Sequence, residues 1–216
     1  MVRGRRPGRI RAVEVMKCVL YVHGMGGSPS EAENFRKDCP GFEVVGVEYD
    51  GSFPAKARDG IRSAYDTVRA EYDSVPVIAN SIGAYFTMLA LHGRDVAKAL
   101  FISPILDMER VILDMMRRAG VSEDELRRKG EIVTASGEIL SWEYLCFVRE
   151  NPVTWSVPTE ILYAGHDSIT SRETVNEFVS RHDARLTVLE DGEHWFHTEE
   201  QVAFLDGWIR GNIFRD

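Results

Sequence analysis

The sequence predicts an α/β protein: a three-layer α/β/α sandwich around a mainly parallel six-stranded sheet, with an inserted helical cap. Three observations predict it. Six short runs are almost continuously apolar rather than alternating, as strands covered on both faces must be. Segments with helical starts and helical spacing separate these runs, and such alternation implies a parallel sheet with right-handed crossovers. One stretch, Leu106 to Trp155, breaks the alternation with helical patterns alone.

Taken in order, Lys17 to Val22 is the first strand and ends at His23-Gly24; Phe42 to Val47 is the second. Val77 to Ala79, Ala99 to Ile102, Thr159 to Tyr163 and Leu186 to Leu189 complete the six. Ser28-Pro29-Ser30-Glu31 reads as a capping box with proline at the first helical position. Thr170-Ser171-Arg172-Glu173 and Thr198-Glu199-Glu200-Gln201 read as two more helix starts. Pro54 to Tyr72 carries Ala57, Ile61, Ala64, Tyr65 and Val68 at helical spacing. Inside the interrupting stretch, Asp107 to Arg118, the segment opened by Ser122, and Ser141 to Glu150 each read as helices. The expected organisation is a core over residues 16–105 and 156–216, and a cap over 106–155.

At 216 residues the chain suits one domain, and it is long enough to bury a core without disulfide staples. Apolar and charged fractions of 44% and 28% are those of an ordinary globular protein. The net charge of −8 argues against nucleic acid or an anionic membrane as partner. Arg3, Arg5, Arg6, Arg9 and Arg11 run against that balance. Without an apolar h-region they read as a disordered extension over residues 1–15, with Met16 the expected natural start. No apolar run approaches transmembrane length. Cys18, Cys39 and Cys146 are odd in number and widely spaced, which reads as free thiols in a reducing, cytoplasmic setting.

In an open parallel sheet, ligands sit beyond the carboxyl ends of the strands. The first strand runs into His23-Gly24-Met25-Gly26-Gly27-Ser28, a glycine-rich turn before a helix. It lacks both phosphate-loop fingerprints, and can be a flexible turn or half of an oxyanion hole completed by the Ile82 N–H. The third strand runs into Asn80-Ser81-Ile82-Gly83. Ser81, with Ala79 two places before and Gly83 two places after, is a variant of the G-x-S-x-G strand-to-helix corner. The fifth ends in Gly165-His166-Asp167, and the last in Gly192-Glu193-His194-Trp195-Phe196-His197. His194 and His197 lack a third ligand at metal-binding spacing, so no metal is expected.

Together, Ser81, Asp167 and His194 follow successive strands in the order nucleophile, acid, base. On these motifs the chain resembles the α/β-hydrolase superfamily, near its small esterases and lipase-like members, over nearly all of its length from Lys17. It departs in having Ala79 for the first glycine, and in a short sheet without N-terminal antiparallel strands. The resemblance implies a cofactor-free serine hydrolase acting on a carboxylic ester, with Ser81 as nucleophile, His194 as base and Asp167 orienting it. Met25 and Ile82 N–H groups would bind the oxyanion.

Rival positions remain: Asp107 as the acid, His197 as the base, and Ser103, which has no elbow around it. His23 reads as a brace for the glycine loop. Trp142, Leu145 and Trp155, with Met25, are the expected substrate contacts, an apolar set suiting a small or medium acyl or aryl ester. The same triad also serves thioesterases, carbon–carbon bond hydrolases and acyltransferases. A non-catalytic ligand-binding module of the same fold is the alternative from another class. The expected partner is a small-molecule acyl substrate, and a homodimer stays open.

Overall fold

The computed structural model describes residues 17–215, so the expectations for residues 1–15 lie outside the described residues. Strands β1 (Lys17–Val22), β2 (Phe42–Gly46), β3 (Val77–Asn80), β4 (Ala99–Ile102), β7 (Thr159–Ala164) and β8 (Ala184–Leu189) form one sheet in the order β2-β1-β3-β4-β7-β8. Every neighbouring pair is parallel. A 3₁₀ helix over Pro29–Asp38 and helices α1 (Pro54–Arg69), α2 (Ile82–Leu91) and α6 (Arg172–Arg181) lie on crossovers, and α7 (Glu199–Ile213) follows the last strand.

Alternate residues of each strand feed two different cores. Leu20, Val22, Val77, Ala79, Phe101, Ile161 and Tyr163 pack against Ile61 and Tyr65 of α1, the wholly buried α2, and Phe178 of α6. Val19, Tyr21, Ile78, Leu100, Ile102 and Leu162 face the other way, onto Phe35, Trp208, Ile209 and Ile213. Both faces are thus covered, which is why the strands read as unbroken apolar runs.

The capping box at Ser28 forms, but the helix it opens is 3₁₀ rather than α. Its buried residues are Ala32, Phe35 and Asp38, spaced by three, so three residues per turn keep that stripe on the sheet. Phe35 packs on the Tyr21 ring at 4.9 Å. Arg210 of α7 donates to the buried Asp38 carboxylate, and Lys37 meets Asp206 at 2.6 Å, tying the two elements on this face together.

Between β4 and β7 lie α3 (Met108–Ala119), α4 (Glu123–Lys129), β5 (Glu131–Val133), β6 (Ile139–Ser141) and α5 (Trp142–Glu150). The sequence predicted helices alone here; the structure adds an antiparallel hairpin, with Ile132 opposite Leu140 and Val133 opposite Ile139. Leu140 turns inward and is buried, while Val133 and Ile139 are exposed. The start of α6 also shifts. Ser171, not Thr170, caps it by accepting from Thr174 N–H, and the Thr170 hydroxyl donates to the Pro104 carbonyl.

Candidate active site

β3 ends at Asn80 and α2 begins at Ile82, so Ser81 alone must make the corner. Its φ of 53° and ψ of −122° lie where a side-chain-bearing residue is strained. The surroundings hold it there. Ser81 N–H donates to the Ile102 carbonyl at 2.9 Å, and the Ser81 carbonyl accepts from Ile105 and Ala84 at 3.0 and 3.1 Å. Helix α2 crosses β1 so closely that a Cβ on Gly83 would stand 2.4 Å from the His23 carbonyl oxygen. The Ala79 methyl is fully buried, so alanine fits where the motif usually has its first glycine.

Ser81 is 3% exposed, and its Oγ lies 2.9 Å from His194 Nε2. His194 Nδ1 lies 2.7 Å from Asp167 Oδ2, and the Asp167 side chain has no exposed surface. The other carboxylate oxygen of Asp167 accepts from Ile169 N–H at 2.8 Å and Thr170 N–H at 3.0 Å. With both oxygens engaged, the carboxylate holds a proton on Nδ1 and leaves Nε2 as acceptor for the serine hydroxyl. The loop carrying His194 is itself fastened, since His166 N–H donates to the Gly192 carbonyl at 2.9 Å.

The glycine loop passes beside this relay: a Cβ on Gly24 would lie 3.3 Å from Ser81 Cβ. His23 braces it, with Nδ1 2.9 Å from the Gly24 carbonyl and its ring stacked on Tyr49 at 4.4 Å. Tyr49 in turn donates to the His23 carbonyl at 2.7 Å. Farther along, Glu31 accepts from Ser28 N–H and, at 2.6 Å, from the Tyr21 hydroxyl. Burial, then the nearby Glu31 charge, pushes the Tyr49 phenol well above its ordinary range, so it stays a donor. Ile82 is the first residue of α2, and its N–H has no acceptor within the helix. Met25 is 69% exposed at the loop's edge.

Two of the rival residues, Asp107 and His197, are engaged elsewhere. Asp107 caps α3, its Oδ1 accepting from Arg110 N–H at 2.9 Å. His197 is mostly exposed and turns Nδ1 to the Trp195 carbonyl at 2.7 Å. Ser103 is buried at a φ of 41°, its hydroxyl without a partner among the described residues. Among the described residues, no group of three or more His, Cys, Asp or Glu is placed to hold a metal ion.

The expected substrate contacts Trp142, Leu145 and Trp155 lie in different surroundings. Leu145 is fully buried in the core between α5 and the rest of the chain. Trp155 donates from Nε1 to Thr159 Oγ1 at 2.8 Å and packs on Phe101. Thr159 opens β7, whose far end leads to Asp167, so Trp155 bonds at the amino end of the strands whereas Ser81 follows a carboxyl end. Trp142 is half-buried and packs against the same core. Trp195 does stand beside the relay: it is 56% exposed and edge-on to the His194 ring at 5.1 Å. A cleft of about 250 Å³ opens beside α2 rather than over Ser81, among Tyr85, Leu106, Met108, Val148, Phe178 and His182.

This arrangement of sheet, elbow and strand-end loops is the α/β-hydrolase fold. Est1E from Butyrivibrio proteoclasticus superposes with a TM-score of 0.75 at 15% identity, over 93% of this chain and 88% of that one. Mouse alpha/beta hydrolase domain-containing protein 10 gives 0.73 at 16% identity, over 91% and 89%. The esterase domain of a Rhodothermus marinus protein gives 0.66 at 15% identity, over 92% and 87%. No protein-family model matches the sequence, and no curated protein is similar to it by sequence.

Proposed function

We propose that the chain is a serine hydrolase that cleaves a carboxylic ester of small or medium size. The observation that carries this reading is the unbroken relay from Ser81 Oγ through His194 to Asp167, at 2.9 and 2.7 Å, around a strained serine. As the Ser81 oxygen attacks the ester carbonyl, His194 Nε2 takes its proton, and Asp167 stabilises the imidazolium. Collapse of the tetrahedral intermediate breaks the acyl–oxygen bond, and the departing alcohol takes that proton from His194. Water, deprotonated by His194, then attacks the acyl-enzyme, releasing the acid and restoring the Ser81 hydroxyl. The N–H groups of Ile82 and Met25 are assigned to the oxyanion, where a lost donor costs other serine hydrolases about 3–4 kcal/mol.

Residues 106–155 are assigned as a cap on a core formed by the rest of the chain. The free thiols Cys18, Cys39 and Cys146 support a reducing compartment, which we take to be the cytoplasm. Among the described residues, no helix is long and apolar enough to cross a membrane. A fluorophosphonate probe tests the central claim: wild type labels once per chain and hydrolyses p-nitrophenyl esters, and Ser81→Ala does neither. Stoichiometric labelling that persists in Ser81→Ala would overturn the assignment.

A further inference from the structure

Two neighbouring phenol hydroxyls are buried with nothing to bond among the described residues. Tyr85 lies one helical turn beyond Ser81 on α2 and is 2% exposed. Tyr144 reaches in from α5, its ring edge-on to Phe53 at 5.9 Å. Both hydroxyl oxygens are closed off from solvent, and neither has a hydrogen-bond partner among the described residues. Leaving a buried hydroxyl unpaired disfavours the folded state, so such groups call for a reason beyond packing. Phenylalanine would fill the same volume without that cost.

The two hydroxyls belong to one neighbourhood. Burial, and then the proximity of Tyr85 and Tyr49, push the Tyr144 phenol well above its ordinary range; burial does the same to Tyr85. All three phenols are therefore protonated donors at neutral pH. Tyr49 differs in having an acceptor, the His23 carbonyl of the loop beside Ser81. It fixes the cluster against that loop, while Tyr85 also borders the cleft beside α2. Tyr85 thus brings a spare donor to the cleft that begins one helical turn from Ser81, with Leu106, Met108 and Val148 as apolar surface beside it, and Tyr144 adds a second next to Tyr85.

We propose that Tyr85 and Tyr144 are specificity-determining residues that donate hydrogen bonds to an oxygen acceptor on the acyl part of the substrate. The inference rests on the serine hydrolase reading and deepens it: the preferred ester carries an ether, keto or hydroxyl oxygen in its acyl chain, and a plain alkyl chain is the poorer substrate. A plain chain would leave both donors unpaired in the complex, and sites built to bond a polar group discriminate strongly against analogues lacking it.

The test uses two p-nitrophenyl esters of equal chain length, one alkyl and one with an ether oxygen replacing a methylene. Wild type is expected to favour the ether ester in kcat/KM. Tyr85→Phe and Tyr144→Phe should each lower kcat/KM for the ether ester by roughly five- to tenfold, and leave the alkyl ester unchanged or faster. A merely structural role would move both esters in the same direction. Thermal melting of each variant should match or exceed wild type, because removing an unpaired hydroxyl removes its burial cost. Equal selectivity in wild type and both variants overturns the inference while leaving the hydrolase reading intact. No turnover of either ester, together with no probe labelling of Ser81, overturns both.

Discussion

Replacing Ser81 by glycine and by alanine separates its backbone strain from its chemistry. Both substitutions remove the hydroxyl, and with it the bond to His194. Neither removes a helix cap, because the Ser81 side chain caps nothing. They differ in the backbone. At φ 53° and ψ −122°, alanine keeps a strain on the order of 1–3 kcal/mol that glycine escapes. Against this, glycine makes the unfolded chain more flexible, at about 0.4–1 kcal/mol. The glycine variant should therefore be the more stable by about 0.5–2 kcal/mol. For a chain of this size, about 2–4 °C accompanies each kcal/mol, so the gap in melting temperature should be roughly 1–8 °C. Thermal melts followed by circular dichroism, with urea titration as a second measure, read it directly. A glycine variant no more stable than the alanine variant would refute the claim that the corner is strained.

On the proposed mechanism, Asp167→Asn should lower kcat by about 10⁴-fold, the scale of that change in a Ser-His-Asp protease. Asp107→Ala should cost about 1 kcal/mol through its lost helix cap, with ester turnover unchanged; steady-state rates and melts on both variants separate the two roles. Gly83→Ala drives a methyl to 2.4 Å from the His23 carbonyl oxygen, and should cost about 1–3 kcal/mol and slow turnover together. Burial pushes the Cys39 thiol up to about 11 and the Cys18 thiol up to about 12, from 9.0. Since the folded values are the higher ones, their contribution to stability is whole below pH 9 and is lost as pH rises towards 11 and 12. Alkaline unfolding should be milder in Cys39→Ala, and stability independent of pH between 9 and 11 in wild type would contradict this.

Sheet and corner were legible because their signals are local. Each strand ends within a few residues of its expected bounds, since double-sided burial demands an unbroken apolar run. The Ser81 corner needs small neighbours, and those can be read from spacing. Other features depend on contacts between distant segments. The Glu131–Val133 and Ile139–Ser141 strands are three residues each, too short for a periodicity to stand out among charged neighbours. Gly137, at a φ of 87° in the loop joining them, was the available signal. Whether Thr170 or Ser171 caps α6 depended on the Pro104 carbonyl, which lies 66 positions earlier. The surroundings of Trp155 were not legible, because an aromatic residue in a cap-like stretch does not reveal which end of the strands it reaches. Nothing in the sequence sets Tyr85 and Tyr144 apart from ordinary packing, and only three-dimensional placement shows that their hydroxyls lack partners among the described residues.

Trp195, exposed and edge-on to the His194 ring at 5.1 Å, has a consequence for observation. An indole in contact with an imidazole ring has its emission altered by any change in that ring's position or surroundings. The red-shifted component of intrinsic fluorescence therefore senses the immediate surroundings of the relay, and it can be followed in real time without a label or a substrate.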